Sequence, residues 1–135
     1  MSLAQQSQIE RLIALFYAAF DNREGRAIAV AELREMFLPD ARVTRLAAGL
    51  IESWSVDEFI APREAILTDG TLVDFHEWEI EGATTIFGNI AEHRSRFGKS
   101  GLLRGSPYVG EGRKLILLCQ LDARWRIVSI LWEDL

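Results

Sequence analysis

The sequence predicts an α+β fold, with helices gathered in the first half of the chain and antiparallel strands in the second. Two patterns carry this reading: an apolar stripe at three- and four-residue spacing near the start, and two-residue alternation from Leu72 onward. A third is the capping box Ser55-Val56-Asp57-Glu58, which marks where a further helix begins. At 135 residues with 49% hydrophobic and 26% charged side chains, the chain suits one domain spanning residues 1–135. It shows no internal repeat, low-complexity segment or linker.

Ile9, Leu12, Ile13, Phe16, Tyr17 and Phe20 form the stripe of the first helix. A second, shorter helix fits Val30 to Phe37, with Val30, Leu33, Met36 and Phe37 inward, and Pro39-Asp40 ends it. Arg42 to Ala47 reads as a short strand. The helix that begins at Val56 meets Pro62, which lacks an N–H and crowds the preceding turn, so two short helical pieces are expected, the second ending at Asp69-Gly70. Leu72 to Glu81 and Thr84 to Phe97 alternate around Gly82-Ala83, where a two-residue turn with a leading glycine closes a hairpin. Lys114 to Leu121 and Trp125 to Glu133 pair around Asp122-Ala123. Five of the ten glycines fall between Gly98 and Gly112, which predicts a mobile loop over a pocket mouth.

Fifteen basic against twenty acidic residues leave a net charge of −5, so no nucleic-acid partner is expected. The one basic cluster, Arg94, Arg96, Lys99 and Arg104, either guards a strand end or meets an anionic ligand at that rim. Cys119 is the only cysteine, which excludes an intrachain disulfide, and its apolar neighbours make it packing material. The first residues lack a basic region followed by an apolar one, and no apolar run nears the roughly 18 residues that cross a bilayer. The expectation is a soluble, cytoplasmic protein without a membrane partner.

With the turn at Gly82-Ala83, paired positions place His76 opposite Asn89, Trp78 opposite Phe87, Asp74 opposite Ala91 and Leu72 opposite His93. That face joins aromatic walls to an imidazole, a carboxylate and an amide, the composition of a small-molecule site. The other face carries Val73, Phe75, Ile86 and Ile90 with Glu77, Glu79, Glu81 and Glu92. Glu77, Glu79 and Glu81 read as a solvated strand edge, serving acid–base chemistry only if the strand curls inward. A β-bulge in the hairpin would exchange part of these assignments. In the last strand pair one face holds Leu115, Leu117, Cys119, Val128, Ile130 and Trp132. The helices cover only one side of the sheet, so this apolar face predicts a homodimer with Trp132 at or near the contact.

Gly98-Lys99-Ser100 resembles the end of a phosphate-binding loop, but His93 stands where that motif needs glycine. Gly110-Glu111-Gly112 lacks the third glycine of a dinucleotide fingerprint, and no Gly-x-Ser-x-Gly elbow occurs. Two histidines and one cysteine give no ligand pair at short spacing, so neither metal nor cofactor is expected. What remains is acid–base chemistry by His76 or His93, with Asp74 placed to orient His76, or a hydrogen-bonded structural role for the same histidines. Tyr17 packs its ring on the helical stripe and has a hydroxyl to place.

Three segments carry a family resemblance: Ile9-Glu10-Arg11-Leu12-Ile13-Ala14-Leu15-Phe16-Tyr17, Leu38-Pro39-Asp40-Ala41-Arg42-Val43 and Trp125-Arg126-Ile127-Val128-Ser129. Together they make the chain resemble the NTF2-like superfamily, also described as SnoaL-like or ketosteroid-isomerase-like domains. The resemblance implies a strongly curved antiparallel sheet wrapped around helices, a cone with a cavity at its wide end, and dimers through the sheet. In the steroid isomerase branch Tyr17 would match an oxyanion-stabilising tyrosine, but Arg45 occupies the place of the general-base aspartate. An arginine stays protonated, so that mechanism is disfavoured. The dehydratase and polyketide-cyclase branches use His and Asp in the cavity, which Asp74, His76 and His93 would imitate. The resulting expectation is a binding domain for a small hydrophobic or aromatic molecule, its cavity lined by Tyr17, Trp54, His76, Trp78, Asn89 and His93. The alternative is a lyase, isomerase or cyclase with a histidine base.

Overall fold

The computed structural model describes residues 3–135, in which three helices pack on one six-stranded sheet. Helix α1 runs Leu3–Ala18, α2 Val30–Glu35 and α3 Val56–Thr68. The strands are β1 Phe37–Ala47, β2 Leu50–Ser55, β3 Leu72–Phe87, β4 Ile90–Leu103, β5 Ser106–Leu121 and β6 Arg124–Asp134. They lie in the order β2-β1-β6-β5-β4-β3, and the sheet is open. The α+β expectation holds, with one change: β1 runs parallel to β6, so the sheet is mixed. That pairing is allowed because β2, α3 and strands β3 to β5 all lie between β1 and β6 in the chain, which gives the long connection a parallel pair requires.

The apolar stripe of α1 buries Ile9, Ile13, Phe16 and Tyr17 against the sheet. Its C-terminal end is fixed by Asn22, which donates from Nδ2 to the Leu67 and Leu72 carbonyls at 2.9 and 2.8 Å. The Asn22 Oδ1 accepts the Phe75 N–H at 2.8 Å, so one buried amide joins the ends of α1 and α3 to the start of β3. The capping box forms as expected: Ser55 Oγ accepts the Glu58 N–H at 3.2 Å, and Glu58 Oε1 accepts the Ser55 N–H at 2.8 Å.

Four expectations are corrected. Pro62 does not split α3, which runs unbroken past it. Phe59, Ile60 and Leu67 are buried on both sides of the proline, and the Phe59 carbonyl, in the turn it perturbs, accepts Arg63 Nη1 at 2.9 Å. The predicted turn at Gly82-Ala83 is strand; the hairpin closes instead at Gly88-Asn89, where Gly88 takes φ +64°. Gly82 serves close packing, because a Cβ there would collide with the Glu79 carboxylate. The glycine-rich stretch is likewise not a loop, since β4 and β5 run through it and meet at Arg104-Gly105. Its glycines clear room for large neighbours, Gly98 for the Trp78 ring and Gly112 for the Phe97 ring.

The fourth correction concerns strand faces, and β-bulges cause it. In β6 the register shifts beside Val128, so Ile130 and Trp132 turn inward and are buried while Leu131 turns outward. Trp132 is therefore not on the uncovered face: it stacks on Trp54 at 5.7 Å and meets Phe59 edge-on at 5.8 Å. In β3 the register shifts between Val73 and His76, where Asp74 takes φ +50°, and again between Glu79 and Glu81. The first shift brings Phe75, Glu77 and Glu79 to the helix side in place of His76 and Trp78.

Gly112 and Gly110 test the packing account. A Cβ on Gly112 would lie 2.6 Å from the Phe97 ring and 2.7 Å from the Glu133 carbonyl, whereas on Gly110 it meets only the Lys99 stem at 3.1 Å. Gly112→Ala is expected to lower stability by about 1–3 kcal/mol in denaturant unfolding, as overpacking does. Gly110→Ala is expected to cost less, because a flexible side chain can move aside.

Candidate functional site

Between α1, α3 and the inner face of the sheet lies a pocket of about 300 Å³. Helix α1 contributes Phe16 and Phe20, α3 contributes Phe59, Arg63 and Ile66, and β1 contributes Val43 and Arg45. From the other strands come Phe75 and Glu77, Phe97 and Lys99, Tyr108 and Lys114, and Ile130, Trp132 and Asp134. Alternate residues of each strand reach this side because strand side chains alternate, with parity reset by the bulges.

The charged groups are organised in pairs. Lys114 Nζ lies 3.4 Å from Glu77 Oε1, with side chains only 6% and 17% exposed. The same ammonium sits 3.3 Å from the centre of the Phe97 ring, close enough for a cation–π contact. Burial pushes the Lys114 pKa down, against the attraction of Glu77. Asp134 receives two cations, Arg45 Nη2 at 3.0 Å and Lys99 Nζ at 3.3 Å. Burial works to lower the Lys99 pKa, but Tyr108 and Asp134 together raise it above the usual lysine value. Arg63 lies over Phe59 at 4.1 Å from the ring centre, and burial lowers its pKa.

Beside the pocket a chain of hydrogen bonds joins α1 to β3 and β4. Ser95 Oγ donates to Glu79 Oε2 at 2.6 Å, which leaves the Tyr17 hydroxyl to donate to Ser95 Oγ at 2.7 Å. Burial raises the Tyr17 pKa and keeps the phenol protonated. His93 Nε2 meets the same Glu79 oxygen at 2.6 Å, and its Nδ1 lies 2.7 Å from Thr84 Oγ1. In the neutral ring, assigning the proton to Nε2 leaves Nδ1 to accept from Thr84.

The residues expected to line a cavity are distributed differently. Tyr17 and His93 are brought together by the Ser95 and Glu79 bridge, but the His93 side chain is only 3% exposed and both ring nitrogens are engaged. His76 stacks on Trp78 at 4.6 Å in a shallow cleft between α1 and β3, where burial and then Arg23 lower its pKa. Asp74 is exposed and accepts the Glu24 N–H at 3.1 Å, away from His76 chemistry. Asn89 lies in the exposed β3–β4 turn, and Trp54 stands behind Trp132. None of these seven lines the pocket. Of the basic cluster, Arg94 and Arg96 stay exposed while Lys99 points inward.

Sequence reasoning missed Lys114, Asp134, Arg45 and Arg63 as pocket residues, and reached Glu77 and Lys99 only as alternatives, through an inward-curling strand and an anion-meeting rim. The alternation in Lys114 to Leu118 carried a signal for Lys114, since it shares parity with the buried Ile116 and Leu118. Nothing local marks the bulges that bring in Glu77 and Asp134.

No family model and no curated protein matches the chain. Solved structures do. A hexachlorocyclohexane dehydrochlorinase, LinA-type3, from Novosphingobium barchaimii LL02 superposes with a TM-score of 0.77 at 13% identity, over 98% of this chain and 87% of that one. An NTF2-like protein with a cystatin-like fold from Novosphingobium aromaticivorans gives 0.74 at 16%, over 98% and 83%. An NTF-2 like protein from Silicibacter pomeroyi DSS-3 gives 0.68 at 18%, over the full length of both chains. The fold is NTF2-like. At these identities the likeness establishes architecture, and function has to be argued from the pocket. No helix among the described residues is long and apolar enough to cross a membrane.

Lys114 supplies a pH test. Its lowered native pKa means the unfolded chain holds more protons between that value and the ordinary lysine pKa of about 10.4. Stability is therefore expected to climb with pH through that window. Lys114→Met should flatten the climb in urea unfolding measured from pH 7 to 10.

Proposed function

We propose that the protein binds a small, largely aromatic molecule in the pocket between its helices and the sheet. The observation that carries this reading is the lining itself, in which aromatic rings from α1, α3 and four strands enclose a few convergent charged groups. At about 300 Å³ the space suits a compact ligand. Binding of a neutral aromatic probe is expected to quench Trp132 fluorescence and raise the melting temperature. Ile66→Trp, which places an indole at the lining, is expected to abolish both effects without unfolding the protein. Unchanged binding in that variant would remove the reading.

A lyase or isomerase reading is favoured by one observation, the Glu77–Lys114 pair, which sets a carboxylate beside an ammonium of lowered pKa at the pocket wall. The dehydrochlorinase among the structural neighbours has this kind of chemistry in its name. The base would be Glu77, because neither histidine lines the pocket. Turnover lost with binding retained in Glu77→Gln would separate this reading from simple binding.

The homodimer remains part of the proposal, on a different set of residues. Leu115, Leu117, Val128 and Leu131 share the sheet face away from the helices and are 36–50% exposed. A row this apolar gains from cover by a second copy. Leu117→Glu is expected to shift a sedimenting dimer to monomer at micromolar concentration, whereas Trp132→Glu should destabilise the fold from within.

A further inference from the structure

We propose that the ligand is a small aromatic carboxylate, its anion held by Arg63 and its ring by the aromatic walls. This rests on the small-molecule reading of the pocket and adds the charge of what it binds.

Four cationic side chains, Arg45, Arg63, Lys99 and Lys114, face two carboxylates, Glu77 and Asp134. The protein as a whole carries a net charge of −5, so the local excess of positive charge runs against its composition. The carboxylates are already committed: Glu77 serves Lys114, and Asp134 serves both Arg45 and Lys99. Among the described residues no carboxylate pairs with Arg63. Its guanidinium is held over Phe59 at 4.1 Å and near Trp132 at 5.5 Å, with Nη1 tied to the Phe59 carbonyl at 2.9 Å.

These contacts fix the guanidinium plane while using one of its five N–H donors. A fixed planar fork with free donors matches a carboxylate, which accepts two parallel hydrogen bonds. Arg45 Nε adds a second unmet donor at the lining, buried and without a hydrogen-bond partner. An amine would meet the same excess of positive charge as repulsion, and a ligand without an acceptor would leave these donors unsatisfied. The aromatic walls then select the body that the carboxylate carries.

The test is calorimetric titration with benzoate, 3-phenylpropanoate and cinnamate, each beside its neutral amide, with benzylamine as the cationic control. Carboxylates are expected to bind at least about tenfold more tightly than the amides, the ratio given by one charge-assisted hydrogen bond. Arg63→Met, which keeps an apolar stem against Phe59, should bring the ratio of acid to amide affinity down to about one. Arg63→Lys should recover part of the preference, and thermal unfolding checks that both variants fold. Equal binding of acids and amides, or a preference that survives Arg63→Met, overturns the assignment and leaves the pocket reading standing. Failure of every probe to bind at millimolar concentration overturns both.

Discussion

Beyond Val128, strand β6 sends Ile130, Trp132 and Asp134 toward the helices, and the register shift beside Val128 is what sends them there. Without that extra residue the same strand would present Ser129 and Leu131 to the interior, and Trp132 would stand on the uncovered face. The aromatic stack of Trp132 with Trp54 and Phe59, and the carboxylate that receives Arg45 and Lys99, both depend on it. The same residue also leaves the opposite face with its row of leucines and valine. One inserted residue thus sets the chemistry of the pocket and the character of the outer surface together.

Strand β3 uses the same device twice. The first bulge, at Asp74, exchanges His76 and Trp78 for Phe75, Glu77 and Glu79 on the inner side. The second, at Ile80, restores the earlier parity so that Thr84 stands opposite His93. Glu79 lies between the two shifts, where its carboxylate gathers Ser95 and His93 and rests against Gly82. A buried histidine with both nitrogens satisfied, and a tyrosine bound to the same network, hold the hairpin to α1. Both ring nitrogens of His93 are engaged in this network, and the pocket lies to one side of it.

The pocket carries an electrostatic cost. Removing Lys114 and Glu77 from water is offset by their mutual attraction and by the faces of Phe97 and Tyr17 beside the ammonium. Apolar replacements for such a pair are often neutral or stabilising, so its presence in an aromatic pocket points toward function rather than stability. Asp134 is likewise shared by two cations where one would suffice for pairing. The arrangement leaves an aromatic enclosure with more fixed donors than the protein itself satisfies.

Much of the architecture was legible in the sequence. The stripe from Ile9 to Phe20, the capping box at Ser55 and the turn at Asp122-Ala123 are local signals, set by side-chain spacing and by hydrogen bonds over a few residues, and each appears in the structure. The same local grammar misled at Gly82-Ala83 and at the glycines from Gly98 to Gly112. A glycine that makes room for a neighbouring ring looks the same in sequence as one that makes a turn. Pro62 also followed local rules on paper, but packing on both sides of it held α3 in one piece. By itself the sequence determined α1, the start of α3, the turn between β5 and β6 and the apolar residues available to a core. The faces on which His76, Glu77, Trp132 and Asp134 fall were decided only by the tertiary structure, because a bulge is settled between paired strands and a shift of one residue reverses every side chain that follows.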